Sequence, residues 1–385
     1  MIKRALGDIL AGARKSFLLL GPRQTGKSTL VSSLKPTLAV NLAHEGTYLE
    51  FARNPRELEE RLAALPAARG QQTIFVDEIQ RLPSLLNTIQ TLLDASSPRY
   101  RFFLTGSSAR KLRRGKANLL PGRIFTYQMG PIVSRELDYN LDTGQALAHG
   151  TLPGILVEND RYAREKTLSS YAATYLKEEV QAEALARNLE GFARFLSVTA
   201  EYAGQFLDLS KLAADAQVAR QSAVRYFEVL EDCLIVHRLA PFAKSARRRL
   251  VQHPRYYFFD PGTLNGLLGN FTVSPDRIGN LFEHLIFTQI VHTTLALDKR
   301  THLASYRTEH GAEVDFIFTS NGETIAIESK ASRNVGPSDL RGLASFAEYY
   351  GKSHRAMVFY LGAHRRKIGN VEVFPWQEGL REIGL

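Results

Sequence analysis

One eight-residue motif constrains the fold of this 385-residue sequence more than any other. Residues 21–28 fit G-x-x-x-x-G-K-[ST] and lie between an apolar strand, Phe17–Leu20, and a helix, Thr29–Leu34. The glycines let backbone N–H groups wrap a chain of phosphates, while Lys27 reaches the β- and γ-phosphates and Ser28 ligates Mg²⁺. The residues predicted to bind ATP are Gly21, Pro22, Gln24, Thr25, Gly26, Lys27, Ser28 and Thr29.

An acidic pair follows a later apolar strand. Thr73–Val76 runs directly into Asp77 and Glu78. Beside a phosphate loop, we expect Asp77 to hold the Mg²⁺ water shell and Glu78 to polarise the attacking water.

Hydroxyl groups and arginines complete the predicted catalytic set. The strand Tyr100–Leu104 is followed by Thr105 and Ser107, which we expect beside the γ-phosphate. Arg123 is the predicted transition-state arginine, acting in cis or on a neighbour's nucleotide. The alternatives for that role are Arg110, Arg113 and Arg114.

Strands and helices alternate through the first 150 residues, which predicts an α/β fold with a parallel sheet covered by helices. Further predicted elements are the strands Leu38–Leu42 and Arg123–Tyr127 and the helices Pro55–Leu65 and Ser84–Leu93.

The net charge of +10 is concentrated in this region, where 21 Lys and Arg oppose 12 Asp and Glu. Residues 95–135 and 233–259 contain no acid at all. Such windows suit a phosphate-backbone partner such as DNA, although a solvated basic surface has the same composition. A single cysteine, Cys233, and the lack of any long apolar run favour a cytoplasmic protein without disulfides or a membrane partner.

The middle region, 151–270, begins with a helical connector or lid and continues with two short helices, Leu209–Ala216 and Gln221–Leu230. The strands Leu234–Phe242 and Arg255–Phe259 then bracket a basic loop. This order predicts a winged helix. Its predicted DNA contacts are Arg225, Arg247, Arg248 and Arg249.

The last region, 271–385, carries a second polar set. A helix over Arg277–His292 contains Glu283, and a hairpin turning at Asn321-Gly322 carries Asp315, Glu328 and Lys330. Three carboxylates could bind a metal while the lysine orients water, as in a phosphodiesterase. An exposed charged hairpin and an inactive nuclease-like fold remain alternatives.

These motifs resemble known families. Residues 21–28, 76–78 and 104–107 resemble the phosphate loop, second acidic motif and first sensor of AAA+ ATPases. Residues 279–285, 311–318 and 327–331 resemble the restriction-endonuclease-like PD-(D/E)xK module, with Val314 where the pattern has proline. The whole order is similar to a prokaryotic family of AAA+ ATPases with a C-terminal domain of unknown function. The resemblance implies a sheet ordered 5-1-4-3-2 and a homo-oligomer such as a hexameric ring.

Three functions fit these observations. The favoured prediction is an enzyme that binds DNA, such as the branched DNA of recombination or repair, and remodels or translocates it with ATP and Mg²⁺. The alternatives are an ATP-gated, metal-dependent DNA nuclease and a nucleotide-switched signalling or regulatory protein.

Overall fold

The N-terminal unit is a parallel sheet. The computed structural model of the chain describes residues 2–95, 99–107, 120–175, 189–242, 250–251 and 253–385. Within these ranges the unit has the strands β1 (Ser16–Leu20), β2 (Leu38–Asn41), β3 (Gln72–Asp77), β4 (Tyr100–Gly106) and β5 (Ile124–Gln128). They lie in the order β2-β3-β4-β1-β5, and all neighbours are parallel. This order confirms the one implied by the resemblance, and the predicted strand bounds are correct to within one or two residues.

Helices cover both faces of this sheet. Leu18 and Leu20 face one apolar cluster, whereas Phe17 and Leu19 face the other. Alternate side chains of a strand point to opposite faces, so the continuous apolar run reflects burial on both sides. The surrounding helices are α1 (Ala5–Gly12), α2 (Lys27–Ser33), α3 (Glu45–Arg53), α4 (Glu57–Ala63) and α5 (Leu85–Leu93).

The middle region is helical and ends in an antiparallel hairpin. Helix α6 (Thr143–His149) directly precedes this region. Its own described helices are α7 (Pro153–Val157), α8 (Arg161–Ser170), α9 (Leu189–Glu201), α10 (Leu209–Asp215), α11 (Arg220–Asp232) and α12 (Pro261–Leu268). The hairpin pairs β6 (Val236–Pro241) with β7 (Arg255–Phe258). Two short helices followed by this hairpin are the elements expected from the sequence, and their interpretation as a winged helix stays a proposal.

The C-terminal region is a sheet with three helices. Its strands are β8 (Thr301–Arg307), β9 (Glu313–Ser320), β10 (Glu323–Lys330), β11 (Arg355–Tyr360), β12 (Arg366–Ile368) and β13 (Val371–Pro375). Its helices are α13 (Ile278–Ala296), α14 (Arg341–Tyr350) and α15 (Trp376–Glu382). Asn321 and Gly322 both have positive φ, as the turn between β9 and β10 requires.

This sheet crosses the predicted domain boundary at residue 270. In the described part of the chain its order is β12-β13-β11-β10-β9-β8-β6-β7, because β6 pairs in parallel with β8. One apolar core also runs from Leu141 to Leu385. The middle and C-terminal regions therefore pack as one body. Among the described helices, none is both long and apolar enough to cross a membrane.

Candidate functional site

The phosphate loop connects β1 to α2 and depends on two glycines for different reasons. Gly26 has a φ of +90° directly before α2, a conformation that side chains with a Cβ rarely adopt. Gly21 has no room for a side chain, because a Cβ there would lie 2.2 Å from the carbonyl oxygen of Met129. The loop is thus held against the segment that follows β5.

Lys27 is folded back over its own loop. Its Nζ donates hydrogen bonds to the carbonyl oxygens of Gly21 and Pro22, each at 2.8 Å, and the side chain is buried. The loop is further supported by Arg4, whose Nη1 donates to the Thr25 carbonyl at 2.6 Å. Arg4 also donates to the carbonyl of Gly130 and pairs with Glu136, so it ties the loop to the segment after β5. Arg4 belongs to no local motif, so its role cannot be predicted from the sequence.

The residues predicted to surround Mg²⁺ meet at the carboxyl edge of the sheet. Ser28 Oγ donates to Asp77 Oδ1 at 2.9 Å, and Thr105 Oγ1 donates to the same oxygen. Asp77 ends β3 and Thr105 lies near the end of β4, so parallel pairing brings them to one edge. The three oxygens match the oxygen-only preference of Mg²⁺.

Glu78 belongs to a small polar network. Its φ is +56°, and its carboxylate accepts a hydrogen bond from Gln80 Nε2. The same nitrogen donates to Ser107 Oγ at 3.0 Å, whereas Gln80 Oε1 is buried and accepts no hydrogen bond from the described residues. Gln80 therefore connects the predicted water-activating residue to the predicted sensor. Its only signal in the sequence is a weak one, namely its place two residues after Glu78.

Arg123 lies at the wrong end of the sheet to act on its own nucleotide. It directly precedes β5, whose first residue, Ile124, pairs with Ser16 at the start of β1, whereas the phosphate loop follows the end of β1. Its guanidinium pairs with Asp94. The expected role in cis is therefore wrong, and a role on a neighbour's nucleotide stays a prediction. Its alternatives Arg110, Arg113 and Arg114 lie outside the described residues.

Two cavities flank the phosphate loop. A cavity of about 600 Å³ with mostly apolar walls lies between α1, α2 and α7, and Gly26, Thr29 and Pro153 line it. Walls of this kind suit a nucleotide base. A second cavity of about 510 Å³ lies between the loop and α8, where Arg23 and Lys166 line it.

The carboxylates Glu283 and Asp315 of the C-terminal region lie close together, as expected, but they surround the guanidinium of Arg255. Arg255 Nη2 and the Tyr257 hydroxyl both donate to Glu283 Oε1, and Arg255 Nη1 lies 3.9 Å from Asp315 Oδ1. The other Asp315 oxygen accepts from the backbone N–H and hydroxyl of Ser329, at 2.8 and 2.6 Å. No motif reveals Arg255 or Tyr257 in the sequence, and the acid-free window around them favours phosphate contacts instead.

Glu328 and Lys330 form the other half of this cluster. Lys330 Nζ lies 2.9 Å from Glu328 Oε1, while Glu328 Oε2 is buried and accepts no hydrogen bond from the described residues. Burial, with a contribution from Asp315, raises the pKa of Glu328 well above its usual range. Burial likewise raises the pKa of Glu283 to about 8.

The residues present do not fit the predicted metal site. Across the described ranges, no three His, Cys, Asp or Glu side chains lie close enough together to hold a metal ion. Glu283 is engaged by Arg255 and Tyr257, so it is not available as the third ligand.

Only one predicted DNA contact can be located. Arg225 lies on α11 with an exposed side chain. Arg247, Arg248 and Arg249 lie outside the described residues.

Comparisons with known proteins divide the chain into three stretches. A family model described as an AAA domain matches residues 13–137. That match supports an AAA-type P-loop ATPase. Two domains of unknown function, DUF8612 and DUF4143, match residues 140–274 and 278–378.

Relatives and solved structures add little about activity. Uncharacterized proteins of Mycobacterium bovis and Mycobacterium tuberculosis are each 28% identical over 363 residues, 92% of this chain and 78% of theirs. A DNA polymerase III gamma subunit-related protein from Thermotoga maritima is 12% identical, with a TM-score of 0.27 over 60% of this chain and 98% of its own. The Bacillus subtilis DNA clamp loader delta protein is 10% identical, with a TM-score of 0.22 over 59% and 86%. Similarity this low adds nothing to the functional argument.

Proposed function

We propose that this protein is a Mg²⁺-dependent ATPase of the AAA type that binds DNA and uses ATP hydrolysis to remodel or move it. The observation that carries the ATPase is the meeting of Ser28, Asp77 and Thr105 beside the phosphate loop. These oxygens and Lys27 come from three separate parts of the sequence.

Each of these side chains has a distinct part in hydrolysis. Lys27 holds the β- and γ-phosphates, while Ser28 and Asp77 would hold Mg²⁺, which neutralises phosphate charge when bound. Glu78 accepts a proton from the attacking water, and Gln80 fixes the orientation of its carboxylate. Thr105, whose hydroxyl donates a hydrogen bond to Asp77, senses whether the γ-phosphate has been hydrolysed.

The DNA part of the proposal rests on the middle region and on charge. Helices α10 and α11 followed by the β6–β7 hairpin have the order of a winged helix, in which the second helix and the wing contact DNA. Arg225 is exposed on that second helix. The segment between β6 and β7 carries Arg247, Arg248 and Arg249 without any acid.

Assembly is a separate part of the proposal. Because Arg123 cannot act on its own nucleotide, a transition-state arginine from a neighbouring subunit would require a homo-oligomer such as a ring. Light scattering with and without ATP tests this directly, since a monomer under both conditions would contradict it.

The deciding experiment measures ATP turnover with single-stranded, duplex and branched DNA. We expect DNA to stimulate turnover in the parent. Changing Arg247, Arg248 and Arg249 together to Ala should weaken binding to all DNA sequences. It should also lower the slope of DNA affinity against salt concentration by the equivalent of up to about three phosphate contacts. The matched control changes the same number of exposed arginines in the N-terminal unit: Arg53, Arg56 and Arg69.

The outcomes separate the three functions. Turnover that DNA leaves unchanged would favour the regulatory switch. Mg²⁺- or Mn²⁺-dependent nicking of the same DNA would favour the nuclease. If the variant with all three arginines changed to Ala binds DNA with unchanged affinity and unchanged salt dependence, the wing is not part of the DNA-binding surface.

A further inference from the structure

Arg255 occupies an unusual position for an arginine. It is the first residue of β7, yet its side chain is only 7% exposed and points into the protein between α13 and β9. A buried arginine keeps its charge, so its surroundings must provide the compensation.

The surroundings of Arg255 engage its guanidinium on several sides. Nε donates to the carbonyl oxygen of Gly204, Nη2 donates to Glu283, and Nη1 faces Asp315. The rings of Phe206 and Tyr257 lie with their centres 5.0 and 5.5 Å from the guanidinium carbon. The planar group is therefore fixed by hydrogen bonds at its edges and by aromatic contacts.

The guanidinium of Arg255 occupies the position that a metal ion bound by Glu283 and Asp315 would need. A divalent ion shared by Glu283 and Asp315 would have to approach the same oxygens that face Arg255. Two cations cannot share that space without strong repulsion, since the site is shielded from water. Lys330 similarly neutralises Glu328.

We infer that Arg255 is the resident cation of this acidic cluster and keeps the C-terminal region free of divalent metal. The guanidinium links β7 of the middle region to α13 and β9 of the C-terminal region. The cluster then works as a fixed ion network that joins two regions, and not as a phosphodiesterase centre. This inference is independent of the proposed ATPase, whose residues lie in the N-terminal unit.

The test is Mn²⁺ titration by calorimetry on the full chain without nucleotide. We expect no saturable site at Asp315 in the parent. Arg255→Ala should gain one saturable Mn²⁺ site, which Asp315→Asn in the same chain should abolish. Arg255→Lys, which retains a positive charge, is the matched control and should gain none. Every titration is repeated with Asp77→Asn, so that ion binding beside Ser28 is not mistaken for the new site.

Folding is checked alongside, because Arg255 is buried. If Arg255→Ala does not melt cooperatively, Arg255→Met replaces it in the test. This variant keeps an apolar stem against Phe206 and Tyr257, and it should gain the same Mn²⁺ site. A parent that binds Mn²⁺ through Asp315 would overturn the inference, and that titration decides the matter even if neither variant folds. A folded variant without the arginine that gains no Mn²⁺ site would overturn it as well.

Discussion

At the scale of single residues, Lys27 and Glu78 lie in the same site but should fail in different ways. Lys27→Ala removes a contact to the phosphates and should weaken ATP binding. Glu78→Gln removes only water activation, so ATP should bind at near the parent affinity while turnover falls by about 10²- to 10⁴-fold. Fluorescent-nucleotide titration and phosphate release measure the two quantities separately. Hydrolysis at the parent rate in the Glu78 variant would show that another group activates the water.

Some residues of the two sites can be recognised in the sequence, and others cannot. Lys27, Ser28 and Asp77 stand in short motifs with fixed spacing, and each follows a recognisable strand or precedes a helix. Arg4 and Arg255 have no motif, because each acts on residues brought near only by tertiary packing. A buried arginine and an exposed one look alike in sequence. Arg255 lies in the same acid-free window as the predicted DNA contacts Arg247, Arg248 and Arg249, and its sequence context does not distinguish it from them.

At the scale of helices and strands, local patterns predicted the five strands of the N-terminal sheet and the hairpin of the middle region. They did not predict α1, α3, α6, α12, β12, β13 or α15. Apolar runs located β1 to β5, and helical spacing located most of α13. The pairing of β6 with β8 could not be predicted. Only two residue pairs form it, Ala240 with Ala304 and Pro241 with Ser305, and the paired residues are more than sixty positions apart in the sequence. Hydrophobic patterns indicate that a strand is buried but do not identify its neighbour.

The packing of α14 on β9 provides a prediction at this scale. Gly342, the second residue of α14, lies so close to β9 that a Cβ would meet the Glu313 carbonyl oxygen at 1.7 Å. Gly342→Ala should therefore lower the free energy of unfolding by about 1 to 3 kcal/mol. Gly279 is the second residue of α13 and has nothing within 4 Å of a Cβ, so Gly279→Ala should leave stability unchanged or raise it by about 1 kcal/mol. Urea unfolding of both variants makes the comparison, and equal effects would contradict the close contact.

At the scale of the whole molecule, α13 connects the two chemical sites. Glu283 lies near its start in the acidic cluster, and Gln289 accepts a hydrogen bond from the backbone N–H of Ser134 at 2.6 Å. His292, one turn further, packs on Gly130, where a Cβ would meet its Nδ1 at 2.1 Å. Arg4 contacts both Gly130 and the phosphate loop. A continuous set of contacts thus runs from the phosphate loop to α13.

His292 makes this junction sensitive to acid. The ring is buried, its Nε2 donates to the Phe259 carbonyl oxygen at 2.8 Å, and its Nδ1 has no hydrogen-bond partner among the described residues. Burial, with smaller contributions from His237 and Arg4, lowers the pKa of His292 to about 3. In the unfolded chain the pKa of histidine is about 6.5. Above that pH the ring is neutral in both states, whereas below it only the unfolded chain takes up the proton.

His292 should therefore destabilise the fold as pH falls below about 6.5, by about 1.4 kcal/mol per pH unit. Other buried groups titrate in the opposite sense, since burial raises the pKa of Asp260 to about 6, so the parent must be compared with a variant. His292→Gln removes the titration. Between pH 6.5 and 4.5 the parent should lose about 2 kcal/mol more unfolding free energy than this variant, measured by urea unfolding at each pH. From pH 7 to 8 the difference between them should stay constant. Parallel curves down to pH 4.5 would show that the pKa of His292 is the same in the folded and the unfolded protein, which would contradict the prediction.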